Sequence, residues 1–347
     1  MATRARIAIL GASGYTGAET LRLALGHPEL EVRHLSAERQ AGKAIGEVFP
    51  HLAGRGLPDL VKIADVPFDE VDAVVCCLPH GTTQEVVAAL PGHLKVVDVS
   101  ADFRLADTHL YAQTYGHAHA APHLQAEAVY GLTEHVRDEV RATRLVANPG
   151  CYPTGPQLAL KPLLHDQAIA PDGIVIDAKS GVSGAGRSAK ESLLFTEVDE
   201  GLQAYGIGTH RHLPEIEQGL SEAAGEAVRV SFTPHLVPMS RGILATMYVR
   251  LAAGADRDTL EQVLRESYAG EPFVGVRPAT RPPSTREVRG TNLALISVHD
   301  DRLHGHAVLV AVIDNLVKGA AGQALQNLNL MLGLEETAGL TASAVFP

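Results

Sequence analysis

Cysteine is scarce in this sequence: three in 347 residues, two of them neighbours, Cys76 and Cys77. No disulfide framework can be drawn from them, and a reducing compartment is expected. Long apolar runs are missing too. The basic start at Arg4 and Arg6 passes directly into Ile7-Ala8-Ile9-Leu10, which is too short for a signal peptide. No later run approaches the length of a membrane span. Positive charge is in deficit, since 29 Lys and Arg against 40 Asp and Glu leave a net −11. That balance argues against nucleic acid or an anionic membrane as the main partner. It still admits an anionic substrate, because arginines inside a cleft reverse the local sign. Internal repeats and low-complexity tracts are absent. With 46% hydrophobic and 20% charged residues, the chain reads as a soluble globular protein, expected in the cytoplasm. Its length exceeds one ordinary core, so two domains are expected.

Residues 6–10 read as a buried strand, Gly11 to Gly17 as a tight turn, and Ala18 to Gly26 as a helix with Pro28 just beyond. Glu31 to Leu35, Val71 to Leu78 and Lys95 to Val99 are further strands, with a helix at Gln84 to Leu90 before the last. Near-continuous apolar runs suit parallel strands covered on both faces. The β-α-β order predicts a Rossmann-type doubly wound parallel sheet over residues 1–148. From residue 149 to 317 the strands are longer and more alternating (Ile174 to Ala178, Val228 to Phe232, Ile243 to Leu251, Leu293 to His299, Ala307 to Ile313), with few helices between. This predicts an α+β domain on a mixed or antiparallel sheet. The proline-bearing stretch from Arg277 to Thr291 reads as a surface loop. A C-terminal helix, about 318–347, is expected to pack back onto the first domain.

The turn Gly11-Ala12-Ser13-Gly14-Tyr15-Thr16-Gly17 spaces its glycines G-x-x-G-x-x-G between a strand and a helix. Such a turn lets backbone approach a pyrophosphate seated on the helix N-terminus, or is simply a structural βα connection. After the second strand, Ser36 and Arg39 suit a ribose 2′-phosphate, which favours NADP over NAD. Glu38 is the counter-argument, since an acid there can face the ribose hydroxyl instead. Leu78-Pro79-His80 ends a strand on the carboxyl edge of the sheet, where it either flanks the cofactor or caps the next helix. A second glycine-rich run, Ser180 to Arg187, misses the G-x-S-x-G elbow at Ala185. Its Ser183 and Gly184 either offer N–H groups to phosphate or nicotinamide, or belong to a plain loop.

Ala147-Asn148-Pro149-Gly150-Cys151-Tyr152-Pro153-Thr154 follows a short strand (Arg144 to Ala147) and precedes an apolar helical segment, Gln157 to Ile169. A thiol at a strand-to-helix turn meets the unpaired N–H groups of a helix start, which favours the thiolate. Cys76 and Cys77 sit inside a strand pattern and read as inert small hydrophobes. A nucleophilic cysteine needs an acid or base nearby. The densest polar knot is Gly208-Thr209-His210-Arg211-His212-Leu213-Pro214-Glu215, in which His210 and His212 share a face when the chain is extended. No further ligand at an obvious spacing completes a zinc set with them, so no metal is expected. His117, His119 and His123 form another histidine patch, read as a surface loop.

In chain order, Gly11–Gly17, Ser100–Arg104, Tyr130–Leu132, Asn148–Thr154, Ser180–Arg187, His210–Ile216, Pro234–Ile243 and Asp314–Gln323 resemble the N-acetyl-γ-glutamyl-phosphate reductases. That family stands beside the aspartate-semialdehyde dehydrogenases and, further off, the glyceraldehyde-3-phosphate dehydrogenases. Thr133 departs from it, standing where proline is common. A related aminoadipyl-phosphate reductase shares the glycine turn, the His-Arg-His segment and Asp-Asn-Leu-Val-Lys-Gly. Its cysteine motif lacks the Asn-Pro-Gly lead and Tyr-Pro-Thr tail found here, which favours the glutamyl substrate. The resemblance implies an NADP(H)-dependent, aldehyde-forming oxidoreductase of arginine biosynthesis, acting on a small anionic acyl phosphate through a Cys151 thioester, as a homodimer or homotetramer. It implies His210 as the acid–base group, with His212 as its orienting neighbour, although the sequence does not separate the two. Arg104 and Arg241 are implied as anion ligands, each with a structural salt bridge as the alternative. Asn148 is implied at the substrate and Asn315 at the nicotinamide amide, while Lys318 is either near phosphate or solvated. A sister acyl-phosphate reductase and a non-catalytic dinucleotide sensor are the rival readings.

Overall fold

The computed structural model describes residues 4–346; residues 1–3 and 347, the outer ends of the expected ranges, lie outside the described residues. The chain divides into two compact units, Met1–Pro149 with Ala320–Ala342, and Gly150–Gly319 with Ser343–Pro347.

The first unit is built on β1 (Ala5–Leu10), β2 (Leu30–Ser36), β3 (Leu60–Val61), β4 (Ala73–Cys76), β5 (Lys95–Asp98), β6 (Val129–Tyr130) and β7 (Leu145–Ala147). Their order is β3-β2-β1-β4-β5-β7-β6, and every pair is parallel. Ile7 to Leu10 and Ala73 to Cys76 are fully buried, as strands covered on both faces must be. Strand order reverses between β1 and β4, which leaves a crevice at their carboxyl ends. The first helix spans Tyr15–Leu25 and starts three residues before the expected Ala18. Gly17 is the reason: a Cβ there would lie 2.5 Å from the Gly11 carbonyl oxygen, so this glycine serves close packing within the helix rather than a loop.

The last helix of this unit, Gly322–Met331, is buried at every residue and packs on β5, on Tyr15–Leu25 and on the Arg137–Ala142 helix. It is ten residues long, not the thirty expected, and a π-turn (Val317–Ala321) precedes it. Beyond it the chain is irregular, held by the Asn329 amide donating to the carbonyls of Glu336 (3.1 Å) and Ala338 (3.0 Å). Buried Asn327 joins the same unit together. It donates to Gly131 O at 2.8 Å and accepts at 2.8 Å from the hydroxyl of Thr133, the residue that replaces the common proline.

The second unit holds β8 (Ile174–Gly181), β9 (Gln203–Ala204), β10 (Val230–Val237), β11 (Ile243–Arg250), β12 (Val274–Arg277), β13 (Ala294–Asp300) and β14 (His306–Ile313). The sheet is mixed, in the order β12-β13-β14-β11-β8-β10-β9. Helices Cys151–His165, Leu213–Ala224 and Arg257–Ser267 pack on it. The last two were not expected. Arg257–Ser267 is masked by a charge ladder, Arg257–Glu261–Arg265, that leaves only Leu260 and Leu264 buried. Along β8 and β11 burial alternates, so the sheet's other face shows Val175 (37% exposed) and Tyr248 (41%) as register partners. The expected loop 277–291 is only partly at the surface, since Val288 and Thr291 are buried.

Candidate active site

In the first unit, the expected nucleotide residues gather on the carboxyl edge of the parallel sheet. The three glycines of the turn answer to different constraints. Gly11 has φ +81°, and a Cβ on it would lie 2.3 Å from the Cys77 carbonyl oxygen. Gly17 is locked by packing. Gly14, which opens the helix without any side-chain cap, would place a Cβ no nearer than 3.6 Å to its neighbours. Internal packing therefore does not demand a glycine at 14, whereas a ligand approaching the helix start through Ser13, Tyr15 and Thr16 would. Ser36 is fully buried, its carbonyl accepting the N–H of Gly11 (3.0 Å) and of Ala12 (2.8 Å), with its hydroxyl 3.4 Å from Gly11 N. It supports the turn from beneath and is not presented to a 2′-phosphate. Arg39 is exposed on the short 3₁₀ turn after β2. Glu38 is occupied, accepting from Ile63 N–H at 3.0 Å. A cation is displayed there while the acid is turned onto backbone, which fits NADP.

The segment Leu78-Pro79-His80 is fastened from below by Asp102. Its carboxylate accepts from Gly81 N–H (2.7 Å), Thr83 N–H (2.9 Å) and the Tyr111 hydroxyl (3.2 Å). His80 Nδ1 accepts from Ala101 N–H at 2.9 Å. Asp98, fully buried, has its carboxyl pushed up to about 7 by burial and by Asp102. Burial also raises the Cys76 thiol and takes Cys77 to about 12, leaving both as protonated, inert groups. His119 is buried rather than on a surface loop, its Nε2 2.9 Å from Asp102 O, while His117 and His123 are exposed. Among the described residues no three His, Cys, Asp or Glu side chains are grouped to hold a metal.

Two expected substrate ligands are held by hydrogen bonds within the scaffold. Arg104 is 5% exposed; its Nε donates to Asn148 O and its Nη2 to Val99 O, both at 2.8 Å. It ties the ends of β5 and β7 together. Asn148 is fully buried, donating to Pro149 O and Ala320 O at 3.3 Å and accepting from Asn327 at 3.2 Å.

In the second unit the helix begins at Cys151 itself, six residues before the expected Gln157, and ends at His165. Pro156 and Pro162 lie inside it, and a proline in an exposed helix interior costs about 3 kcal/mol. Burial of every residue from Tyr152 to Leu164 overrides that penalty. Buried Glu215 accepts from Gly150 N–H at 2.7 Å and pins the residue just before the thiol. Cys151, His210, His212, Tyr152, Tyr205, Ser180 and Gly184 line one small cavity of about 30 Å³. The His210 ring stands edge-on against Tyr152 (5.4 Å), Tyr205 (5.5 Å), Phe232 (5.6 Å) and His212 (4.9 Å). Burial in this cage, with Arg211 beside it, lowers its pKa to about 4. His212, 6% exposed, precedes the Leu213–Ala224 helix.

Asn315 joins the glycine-rich run to the start of β11. Its Oδ1 accepts from Gly242 N–H (2.8 Å) and its Nδ2 donates to the Ser183 hydroxyl (3.0 Å). Arg241, partly exposed, has Nη1 3.6 Å from buried Asp314. Lys318 is neither solvated nor at the surface: it is fully buried, with Nζ 5.8 Å from the Phe273 ring centre. A wider concavity of about 540 Å³, lined by Arg141 and residues 330–336, includes none of the expected site residues.

Residues 6–143 match the semialdehyde dehydrogenase NAD binding domain, and residues 151–315 the semialdehyde dehydrogenase dimerisation domain. Over 352 residues the chain is 56% identical to the N-acetyl-gamma-glutamyl-phosphate reductase of Rhodospirillum rubrum, covering 100% of both. It is 57% identical over 342 residues to the probable chloroplastic N-acetyl-gamma-glutamyl-phosphate reductase of Oryza sativa, covering 99% of this chain and 82% of that one. This chain belongs to the N-acetyl-γ-glutamyl-phosphate reductase family. Its fold is shared with aspartate semialdehyde dehydrogenase II of Vibrio cholerae (TM-score 0.72, 18% identity, 95% of this chain and 99% of that one). The same holds for an NADP-bound aspartate semialdehyde dehydrogenase of Candida albicans (TM-score 0.62, 17% identity, 95% and 99%). No helix of the described residues is long and apolar enough to cross a membrane.

Against this reductase framework, the sequence reading missed Tyr205, and gave Tyr152, Asp314 and Gly319 no roles of their own. Tyr205 donates to the Tyr152 hydroxyl at 3.0 Å, and Tyr152 to His235 O at 3.3 Å. Asp314 Oδ1 accepts from Leu316 N–H at 2.8 Å and its Oδ2 from Gly290 N–H at 2.7 Å, shaping the turn that leads to Gly319. A Cβ at Gly319 would lie 2.9 Å from that of Cys151. The signal for Gly319 was available: a glycine inside an otherwise helical pattern marks a close approach.

Proposed function

We propose that the chain reduces N-acetyl-γ-glutamyl phosphate to N-acetylglutamate 5-semialdehyde with NADPH, releasing phosphate, in arginine biosynthesis. The observation that carries this reading is the cavity shared by Cys151 and His210, in a chain that matches reductases named for this reaction along its whole length. Cys151 is the nucleophile. The N-terminal field of its helix favours the thiolate, which attacks the acyl carbon as the phosphate oxygen departs with its electron pair, leaving a thioester. A thioester accepts hydride where a carboxylate does not, and the bound reduced nicotinamide supplies that hydride. The resulting oxyanion collapses to aldehyde and returns the electrons to Sγ. The cofactor's pyrophosphate is assigned to the Gly11–Gly17 turn, its 2′-phosphate to Arg39, and its nicotinamide side to Ser183, Gly184 and Asn315. Arg241, steered by Asp314, is the anion ligand, because a guanidinium fork fits phosphate and carboxylate alike. A homodimer or homotetramer is supported by the dimerisation-domain match and by the open face carrying Val175 and Tyr248.

The test is NADP reduction driven by N-acetylglutamate semialdehyde and phosphate, compared with the aspartate and aminoadipate semialdehydes. Preference for either of the others overturns the substrate assignment. Cys151→Ser is expected to bind NADP unchanged and to lose turnover; retained turnover removes the thioester route, and an inert native chain that binds NADP is a sensor.

A further inference from the structure

Arg241 is aimed by a carboxylate that backbone holds in place. Asp314 is fully buried, its Oδ1 accepting from Leu316 N–H at 2.8 Å and its Oδ2 from Gly290 N–H at 2.7 Å. That same Oδ2 is the oxygen 3.6 Å from Arg241 Nη1. Where the Gly290 N–H stands therefore decides where Oδ2 stands, and with it the guanidinium. A freely turning surface ion pair would aim nothing. A carboxylate pinned on backbone is a fixed counter-charge, and it sets the direction in which the guanidinium fork meets an oxyanion.

Gly290 lies between β12 and β13 and has φ +79°. The residue before it, Arg289, is bonded twice to Val345, 56 residues on: Val345 N–H donates to Arg289 O at 3.1 Å, and Arg289 Nε donates to Val345 O at 3.2 Å. The Arg289 carbonyl and the Gly290 N–H are the two ends of one peptide group, and that group is planar. Val345 grips one end and Asp314 the other. Such a grip matters at a glycine, because glycine takes either sign of φ and lets the peptide turn over at little cost. Val345 is 64% exposed, so backbone pairing rather than side-chain packing keeps it there.

We propose that Arg289 and Val345 are positioning residues for the reaction: residues 343–346 form a strap that fixes the Arg289–Gly290 peptide plane, and through Asp314 it holds Arg241 in register with an oxyanion of the substrate. The loop carrying Arg289 bears on the same place a second time. A Cβ on Gly242, the neighbour of Arg241, would lie 3.0 Å from that of Thr285. The strap adds no strand to the mixed sheet, since residues 341–346 carry no regular structure. Its return to the second unit, after residues 320–342 have joined the first, serves this loop.

The inference rests on the reading of Arg241 as anion ligand, and the two fail separately. NADP reduction driven by N-acetylglutamate semialdehyde and phosphate gives a KM for phosphate and one for the carboxylate-bearing semialdehyde. Arg241→Ala is expected to raise one of them at least about tenfold, as loss of a hydrogen bond to a charged group does, which tells whether Arg241 holds phosphate or carboxylate. Val345→Pro deletes the N–H that grips the Arg289 carbonyl. It is expected to raise the same KM about fivefold, the scale of one hydrogen bond, with the other KM, the KM for NADP and Cys151 alkylation by iodoacetamide unchanged. Val345→Ala keeps the N–H and should match the native protein. Native KM values in Val345→Pro beside a raised one in Arg241→Ala overturn the strap and leave the anion ligand standing. An equal effect in Val345→Ala, or a loss spread over NADP and alkylation as well, makes the segment a plain stability element and overturns the positioning role. Two native KM values in Arg241→Ala remove the anion ligand and the strap with it.

Discussion

At the scale of single residues, two buried groups set opposite pH trends on stability. Asp98 titrates near 7 in the folded chain against 3.8 ordinarily, so the folded state binds more protons between those values and stability falls as pH rises through them. His210 titrates near 4 against 6.5, so stability falls as pH drops through that lower window. Asp98→Asn is expected to remove the first trend, which amounts to at most about 1.4 kcal/mol per pH unit. Urea unfolding at pH 5, 6 and 7 measures it; an unaltered slope would mean that Asp98 ionises freely. The residue scale is also where the sequence was most legible. Cys151 and His210 stand out by type and by neighbours, and the cavity that both line supports the choice. The backbone bonds of Arg104 and Asn148 were not legible, because a polar side chain looks alike in sequence whether it faces a ligand or a backbone carbonyl.

At the scale of elements, the helix carrying Cys151 and the π-turn at Val317–Ala321 act as a pair, with Gly319 letting their backbones close together. Gly319→Ala forces a Cβ to within 2.9 Å of that of Cys151, and one of the two must shift. Displacements of this order cost about 10²-fold in rate. We expect kcat to drop by roughly that factor with NADPH affinity unchanged; an equal loss of both would point to unfolding instead. Apolar periodicity located most strands, because burial on both faces or alternation between them writes directly into sequence. It missed the start of the Cys151 helix, since Pro153 and Pro156 argue against a helix and only tertiary burial outweighs them. It missed Arg257–Ser267 because ionic i,i+4 pairs dominate that stretch.

At the scale of the whole molecule, the mixed sheet leaves one face open, and Tyr248 stands on it between Val175 of β8 and Val308 of β14 in register. If subunits associate through this face, Tyr248→Asp buries a charge at their contact, and burying an unpaired charge costs several kcal/mol. Sedimentation is expected to show the variant shifted to a single subunit at concentrations where the native protein is associated; an unshifted profile places the association elsewhere. The two sheet types were legible because parallel and mixed sheets differ in hydrophobic pattern. The return of residues 320–342 to the first unit has its own consequence for synthesis. The parallel sheet is begun by the first residues to leave the ribosome, yet the helix that seals β5 is among the last. A nascent chain must hold that half unfinished while the whole mixed sheet is translated, so truncation before Gly322 should yield a protein that depends on chaperones although every strand of its mixed sheet is present.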